Sequence, residues 1–114
     1  MAPAILDLSN LSRSLNEMLV LSALAEGSRH GYQLALDVEQ MSGGLFGFKH
    51  GTLYPILHRL EAKKLIIGSW SDEGLRGRRK AYSLTDHGRA YAAELRDEWR
   101  AVMATLHRII GERS

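Results

Sequence analysis

Apolar residues recur along this chain with a helical period in four stretches and with an alternating, strand-like pattern in one. Leu15, Met18, Leu19, Ser22 and Ala23 follow helical spacing, which predicts a first helix to about Ala25, capped by Ser9 or Ser12 and ended by Gly27. Residues 1–8 read as a mobile arm or an extra turn of helix. Ser28 is placed to cap a second helix to about Met41, with Leu34, Ala35, Val38 and Met41 inward, until Ser42-Gly43-Gly44 breaks it. Leu45–Phe48 is then a short apolar link whose aromatics cover the core.

The third helical stretch, Lys49 to Leu65, has the most divided pattern. Leu53, Ile56, Leu57 and Leu60 make one narrow apolar stripe, while His50, Thr52, His58, Arg59, Lys63 and Lys64 face the other way with only Glu61 against them. A start near Gly51 puts Pro55 in the first turn, where its missing N–H costs least. After Leu65 the period changes. Ile66–Trp70 and Lys80–Leu84 suit two strands of a hairpin, joined by a polar, glycine-bearing loop. Thr85 then caps a helix from Asp86 to Ile110, roughly 37 Å long at about 1.5 Å per residue, closed by Gly111. Its stripe of Tyr91, Leu95, Trp99, Val102, Met103, Leu106, Ile109 and Ile110 outruns the domain and calls for a partner, most economically a second copy of the chain.

Composition narrows the class. A chain of 114 residues, 45% hydrophobic and 25% charged, is one globular domain with a core. There is no cysteine, which excludes disulfides and thiol chemistry and fits a reducing cytosol. MAPAILDLSN lacks the basic start of a signal peptide, and the longest apolar run, Met18 to Leu21, is too short for a membrane, so a cytoplasmic location follows. The net charge of +2 is modest; its placement says more, because Arg76, Arg78, Arg79 and Lys80 cluster in the hairpin. The histidines at 30, 50, 58, 87 and 107 have no metal-ligand spacing, and no nucleophile–base grouping or phosphate-binding glycine loop occurs. No cofactor, metal or enzymatic activity is implied.

Three helices, a basic hairpin and a long trailing helix make a mainly α fold with a small β-hairpin, a winged helix-turn-helix with a long C-terminal dimerisation helix. Its divisions are residues 1–11 as the arm, 12–84 as the DNA-binding domain and 85–114 as the dimerisation helix, all one structural unit. The third helix would enter the major groove and the wing would reach phosphates or the minor groove.

Several motifs in order sharpen this reading. They are His30-Gly31-Tyr32, Gly51-Thr52-Leu53-Tyr54-Pro55 followed by Leu57, Arg59, Leu60 and Glu61, then Gly77-Arg78-Arg79-Lys80 with Tyr82, Leu84 and Thr85, and finally Gly88 and Glu98-Trp99. In these the sequence resembles the PadR family of bacterial transcriptional regulators, across about residues 12 to 110, in its short-tailed, single-domain form. Lys49-His50 departs from the small capping residue and proline that family members often carry. The resemblance implies a homodimeric repressor on a pseudo-palindromic double-stranded operator in the bacterial nucleoid, released by a small, often aromatic or apolar effector. It also implies dimer contacts from the last helix together with the first, which brings in Leu15.

The candidate DNA contacts are Tyr32, His50, Thr52, Tyr54, His58, Arg59, Arg78, Arg79 and Lys80. Tyr54 is either a phosphate donor or a core ring with its hydroxyl at the surface. Arg59 is either a phosphate clamp or a partner of Glu61 or Asp37. Lys63 and Lys64 read as solvated, and His30 as structural. Trp99 is either the anchor of a dimer core or, with Leu95 and Met103, part of a central effector cavity. The rival to a DNA-binding repressor is a winged-helix protein-interaction module that does not read DNA; the four hairpin cations argue against it.

Overall fold

The computed structural model describes residues 3–48, 51–71 and 79–111. It contains a 3₁₀ turn over Leu8–Asn10, helices α1 (Leu11–Ala25), α2 (Gly31–Met41), α3 (Leu53–Ala62) and α4 (Asp86–Gly111), and strands β1 (Arg29–His30), β2 (Ile66–Ser71) and β3 (Arg79–Leu84). The strands form one antiparallel sheet in the order β1-β3-β2. The mainly helical fold with its hairpin and long last helix is as the pattern predicts.

The stripes of α1, α2 and α3 converge on one core of Val20, Leu21, Leu24, Leu34, Val38, Leu53, Ile56, Leu57 and Leu60, closed by Ile66, Tyr82 and Leu84 of the sheet and Leu95 of α4. One expectation about facing is corrected. Met41 is 61% exposed, because Leu34 and Val38 already fill the narrow contact that α2 makes. Leu45 is exposed as well, while Phe46 and Phe48 do pack on the core.

Helix ends explain the other departures. Asn10, not Ser9 or Ser12, caps α1 by accepting from the Arg13 N–H at 3.2 Å. Ser28 does not cap α2, since residues 29–30 extend to pair with Tyr82 and Ala81, and α2 starts only at Gly31. A two-residue strand has no period to read. Helix α2 ends as expected, with Gly43 at φ +60° and the Gly44 N–H donating to the Glu39 carbonyl. Helix α3 ends in the same way without a glycine. Lys64 takes φ +61°, and the Lys64 and Leu65 N–H groups donate to the Glu61 and Leu60 carbonyls. Buried Leu65 and Leu60 make the accompanying apolar pair, which holds a lysine where glycine would be relaxed.

The arm differs most from the sequence expectation. Over its described residues it is docked: Leu6 lies in the core, Asp7 accepts from the Ser9 N–H, and the Asp7 N–H donates to buried Ser14. Glu98 of α4 fastens it, accepting the N–H groups of Ala4, Ile5 and Leu6 at 2.9, 2.9 and 2.7 Å. Burial pushes this carboxyl up, but the three donors outweigh it and hold it below its ordinary 4.5. A carboxylate lowered by folding stabilises above its unfolded value and loses that contribution as pH falls through its folded one. The arm is therefore expected to release on acidification below 4.5. It should also release at neutral pH in Glu98→Ala, with backbone amide NMR showing residues 4–6 becoming mobile while α1–α3 stay ordered. An unchanged arm in Glu98→Ala would show that Leu6 and the Asp7–Ser14 hydrogen bond hold it without Glu98.

Candidate nucleic-acid interface

Helix α3 separates its faces completely. Leu53, Ile56, Leu57 and Leu60 are buried, which leaves Tyr54, Pro55 and His58 exposed and Thr52 and Arg59 half-buried on the outside. Pro55 is the third residue of the helix, so no intrahelical acceptor awaits its missing N–H. Tyr54 is 55% exposed, and its ring lies across the start of α2, where Gly31 has no side chain to obstruct it. Tyr32, next in the chain, is exposed at 61%. Tyr32, Tyr54 and His58 thus form a polar-aromatic surface around the α2–α3 junction, with hydroxyl and imidazole groups available to oxygen acceptors.

Arg59 pairs with neither Glu61 nor Asp37. Asp37 takes Arg29 at 2.9 Å and Gln33, and Glu61 takes Lys80 at 3.0 Å. Arg59 instead approaches Glu17 of α1 at 4.0 Å, and its buried Nε finds no hydrogen-bond partner among the described residues. Glu17 is the functional-site neighbour that sequence reading missed. Buried beneath α3, it also lies 3.9 Å from Arg13 and 3.8 Å from Lys63, and accepts from the Tyr91 hydroxyl at 3.2 Å. Burial, then the charge and hydrogen bond of Glu17, push the Tyr91 hydroxyl up to about 12. Glu17 stands between Leu15 and Met18, inside a stretch that reads as apolar helix, so only tertiary contact reveals its role. Lys63, expected to be solvated, belongs partly to this cluster.

On the wing, Arg79 opens β3 opposite Ser71 with its side chain exposed. Lys80 points the other way, where its ammonium forms a part-buried ion pair with Glu61 at 3.0 Å. His50, Arg76 and Arg78 lie outside the described residues.

Helix α4 supplies the remaining candidates. Leu95 is 1% exposed in the protomer's own core and has no surface to offer a second copy or an effector. Tyr91 and Val102 are half-buried against the core, as is Trp99, whose buried Nε1 makes no hydrogen bond among the described residues. Leu15 is half-buried. Met103, Leu106, Ile109 and Ile110 are exposed. A groove of about 680 Å³ runs between the arm and α4, over Leu8, Val102, Leu106 and Ile109; Trp99 and Met103 are not part of its wall. No described helix is long and apolar enough to cross a membrane.

Comparison with known proteins agrees with this geometry. Residues 20–94 match the model of the transcriptional regulator PadR-like family. A transcriptional regulator from Clostridium thermocellum superposes with a TM-score of 0.80 at 26% identity, over 89% of this chain and 98% of that one. A PadR family regulator from Clostridium difficile gives 0.73 at 31% identity, over 83% and 97%. Bacillus subtilis PadR, solved in complex with operator DNA, gives 0.64 at 25% identity, over 70% of this chain and 44% of its own.

Proposed function

The chain belongs to the PadR-like family of transcriptional regulators, and from that premise we propose that it is a homodimeric repressor that binds a pseudo-palindromic operator and responds to a small effector. The observation that carries the DNA reading is the outer face of α3. Thr52, Tyr54, His58 and Arg59 are presented together over a fully buried stripe, with exposed Arg79 in the outer half of the wing. The Bacillus subtilis relative binds operator DNA with the same fold. In this reading α3 enters the major groove, with Tyr32, His50, Thr52, Tyr54, His58 and Arg59 as its contacts, and Arg78 and Arg79 neutralise flanking phosphates.

Effector response would be mechanical. A flat apolar molecule at Trp99 and Met103, where two copies of α4 meet, favours one packing of those helices and alters the spacing of the two α3 helices. That spacing has to match one turn of DNA, about 34 Å, so a small change weakens binding.

The test is a titration of the protein against its own upstream DNA across salt concentration, with Arg78→Ala/Arg79→Ala beside the wild type. Sequence-preferring binding is expected, with a log–log salt slope that the double variant reduces by about 3.6, from roughly 0.9 for each of two phosphate contacts in each of two protomers. Binding without sequence preference, or a slope that the variant leaves alone, would favour the protein-interaction module instead.

A further inference from the structure

The hairpin is held to the body unevenly. At its base Ile66, Tyr82 and Leu84 are buried, and β1 pairs with Ala81 and Tyr82. Past the Gly68–Tyr82 pair the ladder continues through Ser69–Ala81, Trp70–Lys80 and Ser71–Arg79, where Trp70 is 55% exposed. This outer half is tied to α3 by Lys80, whose Nζ donates to Glu61 Oε1 at 3.0 Å. The ammonium also stands 5.3 Å from the centre of the Tyr82 ring and 5.7 Å from that of Trp70.

Gly68 makes this link possible. The antiparallel register puts Ile66, Gly68 and Trp70 on the same sheet face as Lys80, Tyr82 and Leu84. A Cβ at Gly68 would run into Lys80 Cε and come within 3.2 Å of Glu61 Oε2. One residue without a side chain thus gives passage to two side chains from different elements. The sequence shows a glycine inside an apolar strand and a lysine in a basic run. Only the register shows that they belong together.

We propose that Lys80 and Glu61, seated over Gly68, form a strut that sets the angle between the wing and α3. Lys80 is then a positioning residue and not a phosphate ligand. The inference rests on the DNA-binding reading for its consequence, since the strut decides where Arg78 and Arg79 meet the backbone relative to the bases under α3. Both partners are less than a third exposed, and the two rings shield the ammonium, so a phosphate would have to displace a carboxylate already in contact. The Glu61 hydrogen bond also holds the Lys80 ammonium above its ordinary value.

Two measurements test the strut. In the upstream-DNA titration, Lys80→Met and Glu61→Gln are each expected to lower affinity roughly three- to tenfold, and the double variant to be no worse than the poorer single. The salt slope should be that of wild type in all three. A phosphate role for Lys80 predicts a slope shallower by about 1.8 in Lys80→Met, roughly 0.9 from each protomer, and equal or tighter binding in Glu61→Gln, and either result overturns the proposal. Without DNA, hydrogen exchange at Ser69–Ser71 and Arg79–Ala81 should accelerate in both single variants while α4 is unaffected; unchanged exchange in the hairpin overturns the strut. If wild type shows no sequence preference, the DNA reading fails and the exchange data still decide the strut.

Discussion

Gly88→Ala is expected to destabilise the protein by about 2–3 kcal/mol and to lower its Tm by roughly 10 °C. The sign is what makes it informative. Glycine to alanine in a helix ordinarily stabilises by about 1 kcal/mol. Here Gly88 is buried in the first turn of α4, and a Cβ would run into the backbone carbonyl of Leu65. That carbonyl cannot yield easily. It accepts the Thr85 N–H at 3.1 Å, and the neighbouring Lys64 carbonyl accepts the Thr85 hydroxyl at 2.7 Å. Thr85 in turn caps α4 by accepting the Gly88 N–H at 2.9 Å. One junction thus ends α3, begins α4 and requires the smallest residue, so a methyl group there must move the helix. Thermal unfolding followed by circular dichroism decides it: a Tm equal to or above wild type would mean that α4 shifts without cost.

The second large effect concerns association. Leu106→Asp/Ile109→Asp is expected to convert the proposed dimer to a monomer and to weaken operator binding on the order of 10²–10⁴-fold, because two linked half-site contacts become one. The unfolding temperature should move little. Leu106 and Ile109 are 52% and 57% exposed in the protomer, beyond the last residues of α4 that reach the core. Exposed Leu8 lies across the groove from them, so the apolar surface extends onto the arm. Light scattering reads the mass directly. A monomeric wild type would remove the dimer from the proposal, whereas a variant that stays dimeric would place the interface elsewhere on the stripe.

The stripe of α4 is visible in the sequence, since its spacing alone shows more apolar surface than one protomer can cover. Which part of the stripe remains open is not visible. Tyr91, Leu95, Trp99 and Val102 look the same by period as Met103, Leu106, Ile109 and Ile110. Only packing on the protomer's core buries Leu95 and half-buries Tyr91, Trp99 and Val102, while it leaves the second group exposed. The candidate DNA surface divides in the same way. Tyr54, His58 and Arg79 stand outside as their positions imply, whereas Lys80, one residue from Arg79, turns inward because alternate residues of a strand face opposite sides of the sheet.

By itself the sequence determined what depends on neighbours within one or two turns. This covers the helices and their buried stripes, the hairpin, the Thr85 cap, the glycine stop after α2 and, through motif order, the family. Tertiary structure alone decided the docking of the arm by Glu98, the burial of Glu17 beneath Arg59, the two-residue strand β1 and the meeting of Lys80 with Glu61. Each joins groups from separate elements, as when Leu6 donates to Glu98 across 92 positions of chain. Such a pairing has no period and no local propensity. It is set by which surfaces meet once the apolar stripes are buried, and a polar group enclosed there takes whatever partner that meeting provides.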